Sequence, residues 1–151
     1  MDVFGEFEQL AQSLADSQIP YALIGGVAMA FHAQPRFTKD IDLLIKPEHL
    51  PALQAALGSR GYLPPGEPWT FPRAQLALHR FVKPVLNDEF FVDVLTAKAP
   101  ELAAIVDRAM LVESPDHPSV RLARREDIVR LKKLRASPQD QADIALLERH
   151  E

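Results

Sequence analysis

No cysteine occurs in the chain, which excludes disulfides and thiolate-bound zinc and agrees with a reducing compartment. Nor is there a long apolar run. The longest stretch without a formal charge, Ser17 to Pro35, is broken by Gln18, Pro20, Gly25, Gly26 and Gln34. Its apolar part, Tyr21 to Phe31, is about half of the roughly 20 residues that a membrane-spanning helix needs. The N-terminus carries Asp2, Glu6 and Glu8 where a secretory signal would be positively charged. These absences predict a cytoplasmic protein with no membrane span. Positive charge is not in excess either: 17 Lys and Arg stand against 21 Asp and Glu, a net charge of −4. That balance argues against a protein whose main task is neutralising a long nucleic-acid backbone, and leaves room for a small electropositive site. Repeats and low-complexity tracts are also missing.

What is present is ordinary for a soluble globular chain: 151 residues, 47% hydrophobic and 25% charged. Length alone predicts one domain over residues 1–151, with a core over about 18–112 and a helical C-terminal part over about 120–150. Val3, Phe4, Phe7, Leu10, Ala11 and Leu14 recur at helical spacing and predict an amphipathic helix over 2–17. Tyr21 to Ile24 reads as a short strand, Gly25-Gly26 as a turn, and Val27 to Phe31 as a short helix. Lys39 to Lys46 alternates with period two. A helix follows from Pro47 to Gly58, and the proline-rich segment Pro64 to Pro72, which holds the single Trp69, reads as a surface loop. Leu76 to Val82 and Phe90 to Thr96 are strand candidates, with turn chemistry at Asn87-Asp88 between them. Pro100 opens a helix carrying Leu102, Ile105, Val106, Ala109 and Met110. Ser114 to Pro118 is a turn, Val120 to Leu122 a short extended segment, and Ile128, Leu131 and Leu134 mark another helix. Ser137-Pro138-Gln139-Asp140 has the signature of a helix start, with a last helix to about Arg149. The order of elements is helix, strand, helix, strand, helix, two strands, then helices, an α/β (α+β) chain with a helical C-terminus.

Chemistry concentrates between Gly25 and Asp42, with Asp93 as a distant partner. Asp40 and Asp42 are two apart on a strand, so both carboxylates leave one face while Ile41 and Leu43 enter the core. At roughly 5 Å and an effective dielectric near 20 they repel by about 3 kcal/mol, a cost that a bound cation would offset. Hard oxygen donors and no cysteine suit Mg2+ or Mn2+. Asp93, an acid among Phe91, Val92, Val94 and Leu95, could supply a third carboxylate. Three carboxylates can hold two divalent ions roughly 3.5 to 4 Å apart, an arrangement that serves in-line displacement at phosphorus. The Gly25-Gly26 turn offers bare backbone N–H groups at a helix N-terminus, a setting that favours phosphate. Singly, each feature has an ordinary explanation: a tight connection, a solvated strand edge, an exposed acid on an alternating strand. Their order and spacing make the combination the stronger reading.

Ile24-Gly25-Gly26, the run Arg36-Phe37-Thr38-Lys39-Asp40-Ile41-Asp42-Leu43-Leu44 and Phe91-Val92-Asp93-Val94-Leu95 together resemble the nucleotidyltransferase superfamily that includes DNA polymerase beta. Small bacterial abortive-infection and toxin-type nucleotidyltransferases also have later helices similar to Asp127–Leu134 and Asp140–Ile144. The resemblance implies a mixed sheet flanked by helices, with the paired acids on one strand and the third on its neighbour; Asp40 and Asp42 would bind both metal ions, and Asp93 would bind the catalytic ion and help deprotonate an attacking hydroxyl. Gly25 and Gly26 would bind the triphosphate; the family often has serine where Gly26 stands. The implied reaction moves a nucleoside monophosphate from a nucleoside triphosphate to an acceptor hydroxyl on RNA, a protein or a small molecule, with an antitoxin as a partner of a toxin-type member. The rivals are a non-catalytic nucleotide- or partner-binding module and a metal-dependent phosphoesterase.

Arg36 and Lys39, just before the acidic strand, could reach phosphate oxygens or be solvated loop charges. From Arg121 to Arg135, seven basic residues face only Glu126 and Asp127, a local charge of +5. This segment either contacts triphosphate or RNA, with Lys132 pointing to the site by resemblance, or pairs with Asp140, Asp143 or Glu148 of the next helix. His32 reads as a packing or capping residue and Trp69 as a loop anchor.

Overall fold

The computed structural model describes residues 2–33, 40–135 and 144–148. Its first helix, α1 (Val3–Asp16), starts where the Asp2 carboxylate accepts the Phe4 N–H at 3.1 Å, satisfying one of the donors that a helix start leaves unpaired. Val3, Phe7, Leu10, Ala11 and Leu14 share one side and are buried. There follow β1 (Ala22–Ile24), α2 (Gly25–His32), β2 (Asp40–Ile45), a 3-10 turn (Pro47–His49) running into α3 (Leu50–Ser59), β3 (Trp69–Phe71), β4 (Leu76–Val85) and β5 (Asp88–Ala97). Then come α4 (Pro100–Asp107), β6 (Met110–Ser114), β7 (His117–Leu122) and α5 (Arg125–Arg135). The strands form one mixed sheet in the order β3-β4-β5-β2-β1-β7-β6. β2 runs parallel to β5 and β1 parallel to β7, and the other pairings are antiparallel. This is the α/β, mixed-sheet class that the resemblance implies.

The sheet is covered on both faces near its centre, so Ile41, Leu43, Leu44 and Ile45 of β2 are all fully buried. One face packs against α1. Lys83 of β4 reaches Glu6 of α1 at 2.9 Å, and the Tyr62 hydroxyl donates to the same carboxylate at 3.2 Å. The other face carries Arg80, Asp93 and Asp42, and farther along the same strands Leu78, Leu95 and Leu44. Over part of it lies α5, whose Ile128 and Leu131 line a cleft with Leu78 and Leu95. Arg108, just past α4, fixes the start of α5 by two hydrogen bonds to the buried Asp127, of 2.7 and 2.6 Å.

Four expectations need correcting. The segment from Pro64 to Pro72 is not all loop: Trp69, Thr70 and Phe71 pair with Leu78, Ala77 and Leu76 as an edge strand. Its prolines flank the paired residues instead of interrupting them, as an edge position allows. Trp69 is therefore no loop anchor, and lies 57% exposed on that strand. The helix from Pro100 stops at Asp107, because Met110 pairs with Leu122 to open a hairpin, β6 to β7. The expected turn over Ser114–Pro118 shrinks to Pro115 and Asp116, the latter at φ 65°. The Ser137 helix start lies outside the described residues; residues 144–148 are helical and Leu147 is buried. Among the described residues no helix is long and apolar enough to cross a membrane.

Candidate active site

Strand register sets out the site as a row. Ile24 pairs with Asp42, Asp42 with Asp93, and Asp93 with Arg80, so four side chains stand abreast across β1, β2, β5 and β4. Adjacent strands lie about 4.8 Å apart, close enough for direct contact between neighbours in the row. Asp40 lies two residues back on the same face, beside Phe91. Acids widely separated in sequence thus meet on one patch of sheet.

The row has an occupant that reading along the chain overlooks. Arg80 grips the buried Asp93 with both arms: Nε donates to Oδ1 and Nη2 to Oδ2, each at 2.8 Å. The same guanidinium lies 3.6 Å from Asp40 Oδ2 and 4.7 Å from the centroid of the Phe91 ring. Its pKa is raised above the usual arginine value, first by the hydrogen bonds to Asp93. Burial opposes this, and attraction to Asp93, Asp40 and Asp42 adds to it. A signal for Arg80 was available in the turn. With Leu86 and Asn87 as a two-residue hairpin loop and Asn87 at φ 61°, Val85 opposes Asp88, and counting back places Arg80 opposite Asp93.

Gly25 forms the floor. Its φ of +72° lies in the left-handed region, and a Cβ there would run into the Asp42 carboxylate. Only glycine lets the strand-to-helix turn press its backbone against Asp42. Gly26 is buried in the first turn of α2, where the N-cap residue Ile24 has no polar side chain to offer the helix N–H groups. Such a helix start attracts an anion. Lys132 of α5 is buried, with 7% exposed, and lines the same cleft of about 100 Å³ as Gly25 and Asp42. Arg36 and Lys39 lie outside the described residues. Other members of the basic segment have structural work: Arg121 donates to the Tyr21 and Val106 carbonyls, Arg124 to that of Arg108, and Arg125 to that of His32. The His32 Nε2–H donates to the Ala123 carbonyl at 2.7 Å, as suits a packing residue.

The donor set of Asp40 and Asp42 suits a hard divalent ion. As the side chains stand, the described residues include no group of three His, Asp or Glu ready to ligate one ion, and Asp93 directs both its oxygens at Arg80. The expected two-ion arrangement would need Asp93 to share those oxygens.

The family model described as a nucleotidyltransferase of unknown function (DUF6036) matches residues 1–148. No curated protein matches the chain. Among solved structures, a candidate nucleotidyltransferase of Thermotoga maritima, TM1012, superposes with a TM-score of 0.61 at 13% identity, covering 96% of this chain and 92% of that one. The antibiotic-resistance factor ANT(2'')-Ia in solution gives 0.62 at 16% identity, covering 97% and 84%. Its complex with adenylyl-2''-tobramycin gives 0.56 at 14% identity, covering 95% and 86%. At such identities the likeness shows a shared fold.

Proposed function

This chain belongs to the DUF6036 nucleotidyltransferase family, and on that premise we propose that it moves a nucleoside monophosphate from a nucleoside triphosphate to an acceptor hydroxyl. The observation that carries the reading is the juxtaposition of Asp42 and Asp93 in register on parallel strands, with Asp40 on the same face and the Gly25-Gly26 helix start at their side. The acceptor oxygen bonds to the α-phosphorus, the bond from that phosphorus to the pyrophosphate oxygen breaks, and the hydroxyl proton passes to the acidic face. Asp40 and Asp42 would hold a magnesium or manganese ion, which when bound neutralises charge developing on the phosphate oxygens. The amides of Gly25 and Gly26 and the ammonium of Lys132, with Arg36 and Lys39 from the preceding segment, orient the triphosphate.

ANT(2'')-Ia is seen in one structure in complex with adenylyl-2''-tobramycin. The cleft beside Asp42 is lined by Phe71, Leu76, Leu78 and Leu95, and among the described lining residues the charged ones are Asp42 and Lys132. The acceptor hydroxyl in this reading belongs to RNA, a protein or a small molecule. A toxin-type role with an antitoxin partner is part of the same reading, and arrest of growth on expression of the chain alone would support it.

The test is transfer of label from α-32P nucleoside triphosphates to RNA, protein and small-molecule fractions, with pyrophosphate release followed in parallel. Asp40→Ala, Asp42→Ala and Asp93→Ala should each lower turnover about 1,000-fold or more, as expected when several kcal/mol of charge stabilisation is lost. Full activity in any of them, with the fold intact by circular dichroism, would contradict the assignment. The grip of Arg80 on Asp93 favours a second reading, a nucleotide-binding module without turnover. Binding with no pyrophosphate release would identify it.

A further inference from the structure

Resting on the metal-dependent reading of the same site, we infer that Arg80 is a built-in cation that takes Asp93 out of the metal-ligand set and limits the site to one divalent ion, held by Asp40 and Asp42. Three observations converge on this. Both Asp93 oxygens accept from the guanidinium in a two-armed pairing at 2.8 Å, the geometry in which arginine binds a carboxylate most strongly. Arg80 is also fixed by the Phe91 ring beneath it and by Asp40 at 3.6 Å, so it is held from three sides. The pairing needs no reorganisation, because Arg80 and Asp93 are direct cross-strand partners in the β4–β5 hairpin. A second ion on Asp93 would sit against a guanidinium already in its place, and like charges at that range repel.

Arg80 is thus a positioning residue. It holds Asp93 as part of the acidic face, and it supplies at that end of the row the positive charge that a second ion would otherwise bring.

The experiment counts ions. The full chain is titrated with Mn2+ alone, without nucleotide, and free Mn2+ is followed by electron paramagnetic resonance. One bound ion per chain is expected for the wild type and two for Arg80→Gln, in which Asp93 is released to ligate. Asp93→Asn should keep its one ion, since Asp93 is not a ligand. Two ions on the wild type, a single ion on folded Arg80→Gln, or loss of the ion in Asp93→Asn would each overturn the proposal. If Arg80→Gln does not fold, the wild-type count and Asp93→Asn decide. No bound ion on the wild type, either with Mn2+ alone or after a nucleoside triphosphate is added, would overturn the metal-dependent reading itself, an outcome distinct from a wrong count.

Discussion

Gly25 shows how much one residue can be asked to do. A side chain at that position would meet two obstacles, a left-handed φ of +72° and the carboxylate of Asp42. The first costs about 1 to 3 kcal/mol for a non-glycine residue. The second can be relieved only by moving Asp42, which the register with Ile24 and Asp93 resists. Gly25→Ala should therefore lower the melting temperature by at least about 4 °C, taking about 2 kcal/mol for a chain of this size, and should weaken Mn2+ binding as Asp42 is displaced. Thermal unfolding and a Mn2+ titration check both parts. A variant with unchanged melting and unchanged ion binding would mean that the turn and the carboxylate are not coupled.

Between elements, α1 is tied to the back of the sheet through Glu6, which is buried and takes hydrogen bonds from Lys83 and from the Tyr62 hydroxyl. Burial, and then the neighbouring Glu6 charge, push the Tyr62 phenol well above its ordinary pKa, and burial moves Tyr21 the same way. An unfolded tyrosine releases its proton near pH 10, whereas the folded ones keep theirs. Above that pH the unfolded chain binds fewer protons, so this stability is fully present below about pH 10 and falls as pH rises, by up to about 1.4 kcal/mol per pH unit for each tyrosine. Urea midpoints measured from pH 8 to 11 should drop above pH 10, and Tyr62→Phe should make the drop shallower; a flat wild-type profile would contradict the coupling. The helix that carries Glu6 was legible in the sequence, because Val3, Phe7, Leu10 and Leu14 leave a clear period. The edge strands β3 and β6 were not. Each has exposed residues through most of its length, so neither the alternation of a half-buried strand nor the apolar run of a buried one marks them, and only pairing with β4 or β7 makes them strands.

At the scale of the whole molecule, sequence spacing revealed the acids but not what sits among them. Asp40 and Asp42 share a face by period two alone, while Asp93 lies on the neighbouring strand, as the resemblance implied, and is brought beside Asp42 by a parallel register of β2 and β5 that local periodicity does not show. Arg80 escaped because its role depends on a cross-strand partner thirteen residues away; within β4 it is one more polar residue on a weakly patterned strand. The site is thus a property of assembly, drawing on β1, β2, β4, β5 and the first turn of α2, with α5 bringing Lys132 to the cleft. Ligand binding should consequently stabilise the assembled state and not the unfolded chain, where these groups are scattered. At an ion concentration about 100 times the dissociation constant the gain is about 2.7 kcal/mol, a rise in melting temperature of about 5 to 11 °C for a chain of this length. Asp42→Asn removes one of the two carboxylates that hold the ion, so its melting temperature should stay within about 1 °C over the same Mg2+ titration, a residual shift below 1 kcal/mol. Differential scanning calorimetry of the two proteins side by side separates the cases. An equal rise in both would assign the stabilisation to general screening of the acidic chain and contradict a divalent ion held by Asp40 and Asp42.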